Sequence, residues 1–132
     1  MGALALDADV LIGFLDSSDA HHDRAVSELR PRIAAGDRIL ISASVYAEVL
    51  VRPLRAGTDA TVDDFLDAVR AEVVPVDRSI ARRAAQLRAS HNNLRLPDAF
   101  SLATALIFAV ELLTLDEALR RVAEREGGGW GQ

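Results

Sequence analysis

Apolar residues fall along this chain in short continuous runs separated by longer stretches of helical spacing. Ala3-Leu4-Ala5-Leu6 is a run closed by the charge of Asp7, which suits a buried strand, and Val10, Leu11, Phe14 and Leu15 then recur with a helical period. Ser18 to Ala35 carries Ala25, Val26, Leu29 and Ile33 on one helical face, with Pro31 expected to kink or divide it and Gly36-Asp37 to end it. Arg38 to Ser42 reads as a second strand, and Ser44 to Val51 as a largely buried helix stopping near Pro53 or Gly57. A further helix is expected from about Thr61 to Glu72, then a strand at Val73-Val74-Pro75-Val76, where Pro75 suggests a sheet edge. Asp77 opens a polar helix from Arg78 to Ser90, and His91 to Leu96 is a loop. Pro97 suits the first position of an apolar helix reaching about Ala109. Glu111 to Leu115 is the last strand and Glu117 to Glu126 the last helix.

Strands alternating with helices, without repeats or linkers, predict an α/β fold: a three-layer sandwich with a short parallel sheet of four or five strands and right-handed crossovers. Its 132 residues fit a single domain over 1–126, with a flexible Gly-rich tail at 127–132. In such a sheet every strand C-terminus, with the helix N-terminus that follows it, lies on one edge, the usual place for a ligand.

Composition narrows the chemistry. Half the residues are apolar and 27% are charged, enough for a core and far from disorder. The net charge of −5 argues against attachment to nucleic acid or membrane through bulk positive charge, although it leaves room for a local basic patch. All fifteen basic residues are Arg, so no mechanism can use a Lys ammonium, and without Cys there is no disulfide, thiolate zinc site or cysteine nucleophile. The opening run lacks the basic flank of a signal peptide and no apolar stretch is long enough to span a bilayer, so a cytoplasmic protein is expected.

Four acids interrupt or terminate apolar segments: Asp7, Glu48, Asp98 and Asp116. All four map to the strand C-terminal edge. Singly, Asp7, Asp98 and Asp116 can serve as helix caps and Glu48 can pair with Arg52 one turn on. Together they need compensation, since two carboxylates about 4 Å apart repel by about 4 kcal/mol at an effective dielectric near 20. An all-oxygen set favours Mg²⁺ or Mn²⁺ over Zn²⁺, the ions that serve phosphodiester hydrolysis. With these four set aside, sixteen acids face fifteen Arg, so the excess charge is concentrated in them.

The segments Leu6-Asp7-Ala8-Asp9-Val10-Leu11-Ile12, Ile41-Ser42-Ala43-Ser44-Val45-Tyr46-Ala47-Glu48-Val49, Leu96-Pro97-Asp98-Ala99-Phe100-Ser101-Leu102-Ala103-Thr104-Ala105 and Leu112-Leu113-Thr114-Leu115-Asp116 resemble those of PIN-domain ribonucleases, more closely the VapC toxins of bacterial toxin–antitoxin pairs. The resemblance covers nearly the whole chain. It implies a PIN-like fold with the first strand beside the last, and Asp7, Glu48, Asp98 and Asp116 as both the catalytic and the metal-binding acids of a Mg²⁺- or Mn²⁺-dependent endoribonuclease. It further implies products with a 5′-phosphate and a 3′-hydroxyl, a homodimer, an RNA substrate and a VapB-type antitoxin. Two positions depart from the family pattern: Asp9 replaces the Ser, Asn or Thr common there, and Leu119 replaces an aromatic residue. Asp9 is a candidate ligand, supporting group or helix cap.

Other candidates each have a plainer reading. Thr114 is a candidate support for the site, or the start of a Thr-x-x-Glu capping box with Glu117. Arg52, Arg55, Arg82, Arg83, Arg88 and Arg95 are candidates for RNA phosphates, or simply solvated charge. Asp77 is expected to cap its helix, His21-His22 to start a surface helix and His91 to belong to a loop. A rival enzyme reading takes Asp7-Ala8-Asp9 as the opening of a haloacid-dehalogenase-like phosphatase with Asp7 as nucleophile. That family, like receiver domains, relies on a Lys this chain lacks. The remaining rivals are a non-catalytic PIN-like binding module and a nuclease acting on DNA flaps, for which the chain is short.

Overall fold

The computed structural model describes residues 2–127. Its elements run β1 (Ala3–Leu6), α1 (Ala8–Leu15), α2 (His22–Ala34), β2 (Arg38–Ser42), α3 (Ala43–Ala56), α4 (Asp59–Ala68), β3 (Glu72–Val74), α5 (Arg78–Ser90), α6 (Leu96–Ile107), β4 (Glu111–Leu113) and α7 (Glu117–Gly127). The four strands form one parallel sheet in the order β3-β2-β1-β4, with Leu4 opposite Ile39 and Leu6 opposite Leu113.

Alternation along each strand divides the core in two. Leu4, Leu6, Ile39 and Ile41 point to one face and meet Val10 and Leu11 of α1, Leu29 of α2, Val45 and Val49 of α3 and Leu66 of α4. Ala5, Leu40, Val74 and Leu112 point to the other and meet Ile80 and Leu87 of α5, Leu102 of α6 and Leu119 of α7. Helices thus cover both faces, giving the three layers expected of apolar parallel strands. At Leu119, the aromatic-to-aliphatic departure is a packing change, since the side chain is buried in the second core. Gly13 permits the close approach of α1 and α2: a Cβ there would lie 3.0 Å from the Cβ of Ala25.

The sheet order fixes where a ligand belongs. From β1 the chain proceeds to β2 and β3 on one side, whereas β4 returns to the other side of β1, so the order reverses between β1 and β4. The crevice outside the carboxyl ends of those two strands is the topological switch point.

Several boundaries differ from the sequence reading. Helix α2 starts at His22, not Ser18, because Asp16 and Asp19 close a turn first: Asp16 Oδ1 accepts from Ser18 N at 2.9 Å and Asp19 Oδ2 from His21 N at 2.9 Å. Pro31 does not divide α2; it forfeits one N–H bond in the last turn, and the helix ends at Ala34, three residues on. Of the two stops expected for α3, Gly57 is the one used: the helix runs through Pro53 to Ala56. Helix α4 stops at Ala68, and Glu72 joins β3, reaching Arg38 of β2 at 2.9 Å. Strand β3 is the edge that Pro75 suggested, but it ends before that residue. Leu96 rather than Pro97 opens α6, and β4 ends at Leu113, which leaves Thr114 and Leu115 outside the ladder. Within the proposed tail, Gly127 closes α7 and residues 128–132 lie outside the described residues. Among the described residues no helix is long and apolar enough to cross a membrane.

Gly57 ends α3 at φ +75°, and a Cβ there would meet nothing within 4 Å. Gly57→Ala is therefore expected to cost about 1 kcal/mol through backbone conformation alone. Urea denaturation checks this; an unchanged midpoint would mean that the helix end relaxes out of the left-handed region.

Candidate active site

Asp7 follows β1 directly, and its backbone N–H donates to Leu113 O at 3.0 Å, extending the β1–β4 pairing by one residue. Its side chain is only 6% exposed. Although Asp7 occupies the N-cap position of α1, its carboxylate makes no capping bond. Instead Oδ1 accepts from Ser101 Oγ and Oδ2 from Thr114 Oγ1, both at 3.0 Å. Burial, then the carboxylates of Asp9 and Asp98, push its pKa up to about 6 against the donated hydrogen bonds.

Asp9 stands in the first turn of α1, where Oδ2 accepts from Leu115 N at 3.1 Å and lies 3.3 Å from Thr114 Oγ1. A hydroxyl has one proton, so Thr114 cannot satisfy Asp7 and Asp9 together. The other oxygen of Asp9, Oδ1, is buried without a hydrogen-bond partner. Burial raises the pKa of Asp9, and Asp116 adds to the shift. Among the roles open to Asp9, the hydrogen bonds make it a tie to the β4–α7 loop.

The remaining acids surround this pair. Asp98, in the first turn of α6, is met by Arg95 Nε at 3.3 Å. Ser101, one helical turn further, presents its hydroxyl to Asp7 from the same face. Asp116 is exposed, and its Oδ1 caps α7 by accepting from Ala118 N at 2.9 Å and Leu119 N at 3.1 Å. Because Asp116 is the cap, Thr114 does not form a capping box with Glu117; its oxygen accepts from Asp116 N at 3.2 Å. Glu48 is exposed on α3, not enclosed in a buried helix, and among the described residues it makes no ion pair with Arg52. Surrounding protein, then the fields of Asp7 and Asp98, raise its pKa while Arg95 opposes the shift.

The chain thus gathers Asp7, Asp9, Glu48, Asp98 and Asp116 at one sheet edge, coupled through their fields. Among the described residues no three His, Cys, Asp or Glu side chains stand close enough to hold one ion as placed. The donor set nevertheless fits a hard divalent cation, being all carboxylate oxygen, mutually repulsive and including the unpartnered Asp9 Oδ1. Ser101 is the functional residue that the sequence reading missed. Its signal was a polar side chain inside an apolar helix at i+3 from Asp98.

The PIN domain family model matches residues 4–125. The chain belongs to the PIN domain family. The likeness extends to solved structures of comparable length. A toxin–antitoxin complex from Klebsiella pneumoniae contains a chain 26% identical, with TM-score 0.68 and 86% of each chain covered. Mycobacterium tuberculosis VapC20, described as a sarcin–ricin-loop-cleaving toxin, is 16% identical with TM-score 0.71, covering 89% of this chain and 93% of its own. FitAcB from Neisseria gonorrhoeae is 22% identical with TM-score 0.67, covering 92% and 93%. No curated protein matches the chain.

Other candidates settle around this PIN core. Asp77 follows the edge strand β3 and caps α5, accepting from Ile80 N at 2.9 Å. His22 Nδ1 lies 2.7 Å from Gly13 O, tying α2 to α1, and His91 Nε2 lies 2.8 Å from Glu126 Oε1. Arg83 meets Glu126 at 3.3 Å, whereas Arg52 lines a cavity of about 440 Å³ beside Glu48. Arg88 bonds Asn92 O at 3.4 Å, and Arg55 and Arg82 are exposed.

Burial of Asp7 has a consequence for stability. A carboxyl whose pKa is raised on folding favours the native state when protonated, so stability falls as pH rises from about 4 through about 6. Asp7→Asn, measured in EDTA, is expected to gain about 2–3 kcal/mol over the parent at pH 7.5 and nothing at pH 4. Denaturation at the two pH values checks this, and a gain of equal size at both would refute the electrostatic cause.

Proposed function

We propose that this PIN domain is a VapC-like endoribonuclease toxin, dependent on Mg²⁺ or Mn²⁺, acting in the cytoplasm and neutralised by a VapB-type antitoxin. The observation carrying this reading is the buried Asp7 at the switch point, with the charges of Asp9 and Asp98 acting on it and those of Asp7 and Asp98 acting on Glu48. A fold kept without chemistry gains nothing from that repulsion. The toxin–antitoxin assemblies among similar structures support the same reading, as does the whole-length family match. A homodimer goes with it by resemblance.

Asp7, Glu48, Asp98 and Asp116 would hold the ion, which supplies positive charge at the phosphodiester and acidifies the attacking water. Ser101 and Thr114 orient Asp7 by donating to its two oxygens, so this carboxylate is fixed before any ligand arrives. Glu48 joins this donor set from α3, where it is exposed and feels the charges of Asp7 and Asp98. The water oxygen joins phosphorus as its proton passes to solvent, and the bond to the 3′-oxygen breaks with that oxygen taking a proton from solvent, giving a 5′-phosphate and a 3′-hydroxyl. Arg95, beside Asp98 and largely exposed, is available to the phosphate.

The same geometry opposes Asp7 as a phosphatase nucleophile, because both of its oxygens are engaged and buried. Stable phosphate incorporation at Asp7 would reverse that judgement.

Thermal unfolding in EDTA, Mg²⁺ and Mn²⁺ tests the metal reading. Metal at about 100 times its dissociation constant is expected to stabilise the parent by about 2.7 kcal/mol, and Asp98→Asn to abolish both this gain and RNA cleavage. No metal-dependent shift, together with no cleavage of total RNA by the parent, would leave a binding module as the better description.

A further inference from the structure

Beside the acids, a cavity of about 480 Å³ opens between the α5–α6 loop and α7. Asp98 and Asp116 line one end, so the cavity is continuous with the candidate active site. Arg121 and Arg125 of α7 line it as well, both exposed and, among the described residues, without an ion-pair partner. Their i,i+4 spacing places them on one helix face about 5–6 Å apart, with Arg121 about 7 Å beyond Asp116 along the helix. Leu94 and Leu119, buried in the second core, contribute apolar surface, and Asn92 and Asn93 contribute side-chain amides.

The walls are held in place independently of any ligand. His91 and Arg83 both reach Glu126, joining the α5–α6 loop and α5 to α7. Arg88 donates to Asn92 O, and Leu94 N donates to His91 O at 3.1 Å. The volume falls within the range of small-ligand sites, and the combination of apolar surface, amides and unpaired guanidinium groups is unlike a pocket for an aliphatic ligand.

We propose that this cavity is a nucleotide subsite, taking one nucleotide that flanks the scissile phosphate of a single-stranded RNA. The proposal rests on the nuclease reading for its register. Arg121 and Arg125 bind the flanking phosphate, the base lies against half-buried Val122 above Leu94 and Leu119, and Asn92 and Asn93 read its edge, an amide offering both a donor and an acceptor. An acidic peptide is the less suited occupant, because it brings no base edge for the Asn92 and Asn93 amides.

The test uses the full chain carrying Asp7→Asn to suppress cleavage, in Mg²⁺, and a short fluorescent single-stranded RNA of mixed sequence followed by anisotropy. Between about 50 and 200 mM salt, Arg121→Ala with Arg125→Ala is expected to weaken binding about tenfold and to flatten the salt dependence by about 0.7, the share of the one phosphate they bind. Arg121→Lys with Arg125→Lys should keep the salt dependence. Asn92→Ala with Asn93→Ala should keep it too, while narrowing the differences among homopolymeric RNAs. Undiminished binding and an unchanged salt slope in the double Ala variant would overturn the subsite, as would no binding by the parent background. So would RNA binding that survives while capture of an acidic peptide is lost. Cleavage by the otherwise wild-type chain separates the two readings. If it cleaves no RNA, yet RNA binding still requires Arg121 and Arg125, the nuclease reading fails and the RNA subsite stands.

Discussion

Parallel pairing of β1 with β4 is the constraint on which the site depends. It sets Leu6 opposite Leu113, continues through the Asp7 N–H to Leu113 O, and so delivers Thr114 to the side chain of Asp7. The pairing forces a carboxylate into a buried position at the end of a central strand, where desolvation works against its charge. Two hydroxyl donors, one from α6 and one from the β4–α7 loop, offset part of that cost. Both are supplied from the far end of the sequence relative to Asp7's own strand, which makes the site a product of the assembled fold.

The electrostatic consequences spread outward from Asp7. Asp9 and Asp98 push its proton affinity up, Asp116 does the same for Asp9, and Glu48 responds to both Asp7 and Asp98. Arg95 is the cation set among them: Asp98 holds its guanidinium above the usual range, and Glu48 and Asp116 add to that. The five carboxylates outweigh the guanidinium of Arg95 set among them, leaving a residual field that draws cations and disfavours a bare anion. A polyanion can approach this edge only where positive charge accompanies it, whether from a bound metal or from the arginines of α7.

Thr114 and Asp9 show how local and distant demands compete. A Thr three residues before a Glu has the form of a capping box, yet Asp116 takes the cap because α7 begins immediately after it. Thr114 is thereby released to bridge the Asp116 backbone and Asp7. Asp9, which the resemblance left without a role, fastens α1 to Leu115 across the sheet. Neither outcome is set by neighbouring residues, since each depends on a partner more than a hundred positions away.

Apolar periodicity determined the α/β class, the parallel sheet and the acids at strand ends, because alternation and helical spacing follow from burial that each segment must achieve. The same residues specified Asp7, Glu48, Asp98 and Asp116 as anomalies, charges set in apolar surroundings that local structure alone leaves uncompensated. Tertiary structure decided what lies beyond the reach of one turn. It exposed Glu48, engaged Ser101, assigned Arg83 to Glu126 and left Arg121 and Arg125 without an ion-pair partner among the described residues, at the edge of the site. Those outcomes rest on contacts between α5, α6, α7 and the strand ends, and the chemistry of an arginine or a hydroxyl is identical at every position until a fold gives it a partner.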